Sequence, residues 1–205
     1  MSDHSLLTDT VATAAETVEH VDLAVSEAVA PHRRHPLVKL AGQLSEIGDQ
    51  PPLRALTLGT AVLGLVRRDP RLVRTGARML AAHTLATWGK TLVKHRIDRT
   101  RPDHAIDTEY RMETGESHAH ELSSFPSGHT AGALSVAQAL ARDYPAARPA
   151  ALLAAAAVAA IQVPRCKHFV SDIVAGAALG WAAEQVSSRL FDAAEAWAAG
   201  PTSGS

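Results

Sequence analysis

The sequence lacks the residues that stabilise many small β-rich or extracellular domains. It has one cysteine, Cys166, in 205 residues, which excludes an internal disulfide and a zinc site built from cysteines. Aromatic residues make up 4% of the chain and hydrophobic residues 46%, so the apolar content is largely alanine, leucine and valine. Alanine and leucine are strong helix formers, and small side chains let helices pack closely. This composition favours packed helices over a β-sandwich.

An excess of positive charge is also missing. The chain has 20 Lys and Arg residues against 21 Asp and Glu residues, and its formal net charge is −1. A nucleic-acid-binding domain needs a basic surface, so we expect no nucleic-acid partner. The first residues lack the basic start, apolar stretch and small-residue cleavage site of a secretory signal. We therefore expect that any site acting outside the cytoplasm belongs to a protein that spans the membrane.

Apolar residues recur at helical spacing along most of the chain. The pattern predicts an N-terminal amphipathic helix and linker over residues 1–36, a helical domain over 37–199 and a disordered tail over 200–205. The individual helices are predicted at 5–30, 37–47, 52–66, 71–95, 127–142, 147–163 and 168–197. Between the fourth and fifth of these lies a polar connection of about 30 residues, with no predicted helix or strand, and such long loops are usually functional. The fold class is therefore all-α, a bundle of five to six core helices.

Long uncharged apolar runs are scarce. The cleanest, Pro149 to Pro164, has 16 residues, whereas a lone spanning helix needs about 20. The turns at 67–74 and 142–148 carry six arginines and two aspartates, and they would share one face of a bundle with five crossing helices. The positive-inside rule makes that face cytoplasmic. We therefore expect an integral protein of a bacterial inner membrane with its functional loops facing outward, although the number of spans and the oligomeric state stay open.

The segment Pro126-Ser127-Gly128-His129 directly precedes an apolar helical pattern, which predicts Ser127 as the helix N-cap. A helix N-terminus binds phosphate through its unpaired N–H groups and its positive dipole end. Gly128 lets the backbone come close to an anion, and His129 in the first turn would face the same anion. The alternative is an ordinary capped helix start with an incidental histidine.

Two further groups have similar chemistry. Lys94 and Arg101 belong to a cationic cluster at the end of a predicted helix, although a solvated basic helix end would look the same. His168 and Asp172 are four residues apart and would share one helical face. The carboxylate can then hold the imidazole Nδ1–H and present Nε2 as a nucleophile. The alternative is an ordinary helix-stabilising pair, but Asp172 lies in an apolar stretch, where a charge is costly.

In this order the motifs resemble those of the type 2 phosphatidic acid phosphatase superfamily, which also includes bacterial acid phosphatases and vanadium haloperoxidases. Lys94 and Arg101-Pro102 match its first motif, a lysine, six residues and Arg-Pro. Residues 126–129 match its second motif, Pro-Ser-Gly-His. The third motif is Ser-Arg, five residues, His, three residues and Asp, and its last two positions are His168 and Asp172.

The sequence departs from this pattern at one position. The arginine of the third motif falls on Gln162, six residues before His168. In the family this arginine binds phosphate oxygens. We expect Arg165, one helical turn later, to replace it, and the alternative is a weakened or inactive member.

The resemblance implies hydrolysis of a phosphate ester through a phosphohistidine intermediate, with no metal and no cofactor. His168 would attack phosphorus, Asp172 would orient it, and His129 would protonate the leaving group and later activate water. The phosphate would be bound by Lys94, Arg101, Ser127, Gly128 and Arg165.

The expected substrate is the phosphate monoester or diphosphate of a lipid, either phosphatidic acid or a polyprenyl (di)phosphate. One alternative is a vanadate-dependent haloperoxidase, against which the missing arginine and the small size argue. The other is a non-catalytic anion-binding membrane protein, which Gln162 favours. His118, His120 and Glu121 could suggest a metal site, but they are better interpreted as exposed loop residues.

Overall fold

The structure is a computed structural model that describes residues 3–106, 108–117 and 119–198. Its α-helices are α1 (Asp3–Val29), α2 (Pro36–Ser45), α3 (Gln50–Arg67), α4 (Pro70–Lys94), α5 (Pro102–Ala105), α6 (Gly128–Asp143), α7 (Arg148–Ala160) and α8 (Val170–Ala198). Its strands are β1 (Ile97–Arg99) and β2 (Met112–Thr114). The predicted tail, 200–205, lies outside the described residues. The all-α class is confirmed, and the seven predicted helices agree with the observed ones to within about three residues at most ends.

Local capping explains why the helix starts could be predicted. The side chain of Asp49 accepts a hydrogen bond from the N–H of Gln50 at the start of α3. Asp69 accepts from the N–H groups of Arg71 and Leu72 at the start of α4. Each helix also has a proline in its first turn, where no intrahelical N–H is needed. These signals are local, so they can be read from the sequence.

Helix α6 lies at the centre of the bundle and packs against α3, α4, α7 and α8, while α4 also packs against α3 and α8. These five helices form the core, within the five to six that were predicted. Alanines fill much of the interface, including the buried Ala131, Ala133, Ala137 and Ala139 of α6. Their small side chains allow the helices to surround α6 closely.

Two glycines bring α8 against the backbone of α6. A Cβ atom at Gly176 would lie 2.5 Å from the carbonyl oxygen of Ser127, and one at Gly180 would lie 2.4 Å from that of Ala131. Real Cβ atoms do not approach oxygen so closely, so the spacing requires glycine at both positions. The close approach places the first turns of α6 and α8 side by side.

The connection between α4 and α6 contains regular structure that was not predicted. Strand β1 pairs antiparallel with β2, with Asp98 opposite Glu113. The short helix α5 lies between the two strands. Three-residue strands are too short to produce a clear alternation of apolar and polar residues, which is why the sequence did not reveal them.

Helix α1 turns a polar face toward the bundle. Asp22 and Ser26 are buried, whereas Val18 and Val21, which belong to the apolar stripe at helical spacing that predicted this amphipathic helix, are 47% and 53% exposed. The helix contacts α8. The apolar face of the amphipathic pattern is therefore not the face of α1 that packs on the bundle. The predicted domain boundary at residue 36 stays a prediction.

Large apolar side chains lie exposed on the outer faces of several helices. Examples are Leu37, Leu40 and Leu44 on α2, and Trp88 and Leu92 on α4. None of the helices within the described ranges combines the length and the apolar content that a membrane-crossing segment needs.

Candidate active site

The three predicted motifs meet at one cavity of about 430 Å³, at the end of the bundle where α4 ends and α6 begins. Six of the eight predicted site residues line this cavity: Lys94, Arg101, Gly128, His129, Arg165 and His168. Ser127 and Asp172 do not line it. The structure therefore brings together residues that are up to 74 positions apart in the sequence.

His168 is held by a backbone group. Its ring is 3% exposed, and its Nδ1 atom lies 2.8 Å from the carbonyl oxygen of Ser124. A carbonyl oxygen can only accept, so Nδ1 carries the hydrogen and Nε2 carries the lone pair. Burial lowers the pKa of His168, Asp172 opposes this effect and the charges of Arg101 and Lys94 add to it, with a resulting pKa of about 4. The ring is therefore neutral at pH 7, with Nε2 available as a nucleophile.

Asp172 contacts His168 less directly than the spacing suggested. Its Oδ2 atom lies 3.7 Å from Nδ1 of His168, beyond hydrogen-bond distance. Instead, Oδ2 accepts from the hydroxyl of Ser124 at 2.5 Å and from the N–H of Phe169 at 2.8 Å. The prediction of a direct hydrogen bond between Asp172 and His168 is therefore wrong. Helix α8 begins at Val170, so His168 precedes the helix and does not share a helical face with Asp172. Asp172 therefore positions Ser124 through the serine hydroxyl, and the Ser124 carbonyl positions the His168 ring.

Arg99 is a part of this arrangement that was not predicted. Its guanidinium donates to Oδ1 of Asp172 at 2.7 Å and to Oδ2 of Asp22 at 2.8 Å. A buried carboxylate needs a counter-charge. The position of Asp172 in an apolar stretch was therefore a sequence signal that a basic residue would pair with it. The sequence did not show which of the neighbouring basic residues would provide that charge.

His129 lies in the first turn of α6 and lines the cavity. Its Nε2 atom is buried and has no hydrogen-bond partner among the residues that the structure describes. The nearest carboxylate oxygen, Oε2 of Glu46, is 3.6 Å away. The ring can therefore exchange a proton with a group bound in the cavity.

Two cations converge on one backbone carbonyl at the rim of the cavity. The ammonium of Lys94 donates to the carbonyl oxygen of Ser123, and so does Nη2 of Arg101 at 3.4 Å. Arg101 also donates through Nε to the carbonyl oxygen of His120 at 2.9 Å. Burial and, to a smaller extent, the charges of Arg101 and Lys90 together lower the pKa of Lys94 to about 7. An anion in the cavity would meet two positioned donors and would favour the charged form of Lys94.

Arg165 lies at the cavity with its charge already paired. Its Nη2 atom donates to Oε1 of Glu46 at 2.7 Å, and Nη1 donates to the hydroxyl of Ser45 at 3.0 Å. Gln162 is buried behind it and donates to Ser45 at 3.2 Å and to the carbonyl oxygen of Val158 at 2.9 Å. The expected replacement of the arginine at position 162 by Arg165 is geometrically possible, and its role in binding phosphate stays a prediction.

Ser127 caps α6, as predicted, and this role occupies its hydroxyl. The Oγ atom accepts from the N–H of Thr130 at 3.5 Å and from its hydroxyl at 3.0 Å, and the side chain is fully buried. The N–H of Ser127 donates to the backbone carbonyl of Asp172. The structure thus does not bring the Ser127 side chain to the cavity, whereas neighbouring Gly128 lines it.

Further polar residues line the cavity that were not among the predicted site residues, although Gln162 and His120 were considered in the sequence. They are Glu46, Asp49, Gln50, Lys90, His120, Ser123, Gln162 and Lys167. Lys90 could have been found, because it lies one helical turn before Lys94. The carboxylates of Glu46 and Asp49 come from the α2–α3 junction, and no sequence pattern indicated that this junction would reach the cavity. Across the described residues, no three His, Cys, Asp or Glu side chains are grouped as metal ligands, and His118 lies outside them.

A profile of the PAP2 superfamily matches residues 75–195, more than half of the chain. The chain belongs to this superfamily. The membership predicted from the three motifs is confirmed, and with it the enzyme class, a phosphoric ester hydrolase.

The fold is similar to those of two solved structures. One is the crystal structure of a transmembrane PAP2 type phosphatidylglycerolphosphate phosphatase from Bacillus subtilis, with a TM-score of 0.61 and 22% identity over 92% of this chain and 94% of that chain. The other is Aquifex aeolicus LpxE, with a TM-score of 0.57 and 20% identity over 82% of this chain and 94% of that chain. A search of curated protein sequences gave no significant match. At these identities the two structures support the fold.

Proposed function

We propose that this protein hydrolyses the phosphate monoester or diphosphate of a membrane lipid through a phosphohistidine at His168. The observation that carries the proposal is the neutral, buried His168, whose Nδ1–H is held by a carbonyl while the ring lines a cavity with Lys94 and Arg101. This arrangement provides a nucleophile and an anion-binding site in one place.

In the first step, the lone pair of His168 Nε2 forms a bond to phosphorus, and the bond between phosphorus and the lipid oxygen breaks. The electron pair leaves with that oxygen, which takes a proton from the charged form of His129. Burial lowers the pKa of His129 against the opposing charges of Asp49 and Glu46, and the negative charge of a bound phosphate favours the charged ring. Lys94, Arg101 and the N–H groups at the start of α6 stabilise the charge on the remaining phosphoryl oxygens.

In the second step, water attacks the phosphohistidine. His129, now neutral, accepts a proton from this water, the bond between Nε2 and phosphorus breaks, and inorganic phosphate leaves. His168 returns to its neutral form, and the carbonyl of Ser124 keeps the same tautomer throughout both steps.

Exposed apolar side chains on the outer surface support a membrane setting and hence a lipid substrate. Leu44 and Ile47 lie close in sequence to Glu46, and Trp88 and Leu92 lie on the face of α4 opposite Lys90 and Lys94. Such a surface can contact acyl or prenyl chains of a surrounding membrane while the phosphate enters the cavity. The similar structures named above are phosphatases, one of them transmembrane. We propose a location in a bacterial inner membrane with the cavity on the outer side, in agreement with the arginine-rich turns at 67–74 and 142–148.

The test is phosphate release by the purified protein from phosphatidic acid, lysophosphatidic acid, phosphatidylglycerophosphate, an isoprenyl diphosphate and a soluble aryl phosphate. We expect turnover of at least one lipid and its loss in His168→Ala. The exposed His32 provides a matched control, since His32→Ala should keep the wild-type rate. Acid-labile, base-stable labelling of the wild-type protein by a ³²P-labelled substrate would identify the intermediate. Unchanged turnover in His168→Ala would overturn the mechanism.

A second function, non-catalytic anion binding, is favoured by one observation. Gln162 occupies the position of the arginine in the third motif, and Arg165 is paired with Glu46. A comparison of phosphate release by the wild type and by Gln162→Arg distinguishes hydrolysis from non-catalytic anion binding. A rate that rises from background only in Gln162→Arg would indicate an inactive natural site.

A further inference from the structure

A row of three alternating charges lies buried behind the cavity. Asp22 of α1, Arg99 of β1 and Asp172 of α8 are 2%, 1% and 0% exposed. Arg99 bridges the two carboxylates at 2.7 Å and 2.8 Å. Charges that are removed from water must be satisfied by one another, so these three groups form a single unit.

Ser171 connects Asp22 to the start of α8. Its N–H donates to Oδ1 of Asp22 at 3.0 Å, and its hydroxyl donates to Oδ2 of the same carboxylate. Arg99 lies within 2.6 Å of the same hydroxyl. Since the N-terminus of a helix is its positive end, the Asp22 carboxylate is stabilised there and fixes the first turn of α8.

The same unit reaches the nucleophile through two short links. Asp172 accepts from the hydroxyl of Ser124, and the carbonyl of Ser124 accepts from His168. Arg99 also stacks on the ring of Phe169, 4.3 Å from its centroid. A displacement of Arg99 would therefore change the position of Asp172 and, through Ser124, that of the His168 ring.

The charge of this unit favours the chemistry of the proposed first step. Two carboxylates and one guanidinium sum to −1 when both carboxylates are ionised. The His168 ring is neutral before attack and becomes positively charged when Nε2 bonds to phosphorus. Only the second carboxylate, Asp22, keeps the unit negative, because Asp172 alone would be cancelled by Arg99. A negative charge behind the ring stabilises the positive ring.

Building on the proposed function, we infer that Asp22 and Arg99 are positioning residues of the active site, through which α1 supplies part of the negative charge behind the nucleophile. They act through Asp172 and Ser124 and do not line the cavity. This assigns a role to the N-terminal helix, for which the sequence suggested none.

The test compares Asp22→Asn with wild type. The asparagine keeps the size of the side chain and an acceptor oxygen but removes the charge. We expect kcat to fall about tenfold or more with KM within about twofold, because the stabilisation is lost mainly in the transition state. Asp22→Glu should recover part of the rate. Glu16→Gln removes an exposed charge from the same helix and should leave both constants unchanged.

A second readout needs no turnover. The pKa of His168, followed by NMR in ¹⁵N-histidine-labelled protein, should fall by about half a unit or more in Asp22→Asn, because the charged ring loses a stabilising negative charge. A purely structural role would not produce this directed shift. If Asp22→Asn does not fold, Asp22→Ser removes the same charge with a smaller side chain, and the pKa of His168 should fall in the same direction. Arg99→Lys keeps the charge but cannot bridge both carboxylates, so it tests the positioning role alone, and we expect kcat to fall without a fall in the pKa of His168.

The outcomes separate this inference from the proposed function. A wild-type protein that releases no phosphate from any lipid contradicts the proposed function, while the shift in the pKa of His168 still decides the inference. Full kcat and an unchanged pKa of His168 in Asp22→Asn, in a wild-type background that is active, overturn the inference alone.

Discussion

Nδ1 of His168 lies 2.8 Å from the carbonyl oxygen of Ser124, while the hydroxyl of the same serine lies 2.5 Å from Asp172. One residue thus holds the proposed nucleophile with its backbone and the carboxylate with its side chain. The two functions can be separated, because substitution of the side chain leaves the carbonyl in place.

We expect Ser124→Ala to lower kcat by about tenfold, less than the complete loss in His168→Ala, because the tautomer is retained while Asp172 loses one donor. The measurement is kcat at saturating lipid phosphate. Ser117→Ala, in the loop before the cavity, is a control for loss of a serine hydroxyl. A Ser124→Ala variant as inactive as His168→Ala would show that the carbonyl alone does not hold His168 in an active position and that the hydroxyl is essential.

Protonation of His168 should not lower kcat/KM near neutral pH. Burial lowers its pKa to about 4, so the neutral, nucleophilic form persists as the pH falls and is lost only near pH 4. We expect kcat/KM to be free of a His168 protonation between about pH 5 and 7. An NMR titration of His168 with a midpoint near its usual value would contradict this prediction.

Lys94 should contribute a basic limb to kcat/KM, above a first limb from His129, whose proton the first step needs and whose pKa burial lowers. Burial and neighbouring cations lower the pKa of Lys94 to about 7, so the free enzyme loses this positive charge as the pH rises through 7 and binds phosphate less well. Lys94→Arg should remove the limb near pH 7 and leave that of His129 in place, since a guanidinium stays charged. Lys39→Arg, on the exposed face of α2, should leave both limbs in place. A limb near pH 7 that persists in Lys94→Arg would assign it to another group.

Much of the bundle was predictable, because the helix starts carry local signals. Asp49 and Asp69 cap helices that begin with proline, and apolar residues repeat through each helix. The family motifs likewise identified six residues that line the cavity. The helix caps, the apolar repeats and the family motifs share one property: each signal lies within a few residues of the feature that it predicts.

The unpredicted parts depend on pairing between distant segments. Arg99 lies 73 positions from Asp172 and 77 from Asp22, and several nearby cations could have served as well. Glu46 reaches the cavity only because the α2–α3 junction packs beside α6. In α1, the buried face carries Asp22 and not the apolar stripe, so hydrophobic periodicity indicated the wrong side of the helix.

Glu46 should compete with phosphate for Arg165. Its carboxylate lies 2.7 Å from Nη2 of Arg165 and 3.6 Å from Nε2 of His129, where an anion would be expected to bind. Glu46→Gln should therefore lower the inhibition constant of inorganic phosphate by about three- to tenfold, a change of roughly 0.7–1.4 kcal/mol.

A double-mutant cycle tests this coupling. In the Arg165→Ala background, Glu46→Gln should change the inhibition constant much less, because the competing pair no longer exists. Glu116→Gln removes an exposed charge from the loop and serves as the control. Equal effects of Glu46→Gln in both backgrounds would show that the carboxylate acts by its general charge and not by occupying Arg165.

The close approach of α8 to α6 should depend on Gly176. A Cβ atom there would lie 2.5 Å from the carbonyl oxygen of Ser127, and backbone cannot give way as a flexible side chain can. We expect Gly176→Ala to destabilise the fold by about 1–3 kcal/mol and to lower activity, since the start of α6 carries Gly128 and His129. Gly59→Ala is the matched control, because nothing lies within 4 Å of its Cβ position, and in a helix this substitution should be neutral or stabilising. Thermal unfolding of the two variants in detergent, with phosphate release measured in parallel, decides the question. Equal unfolding temperatures for Gly176→Ala and Gly59→Ala would show that the helices separate at little cost and that the site does not depend on their contact.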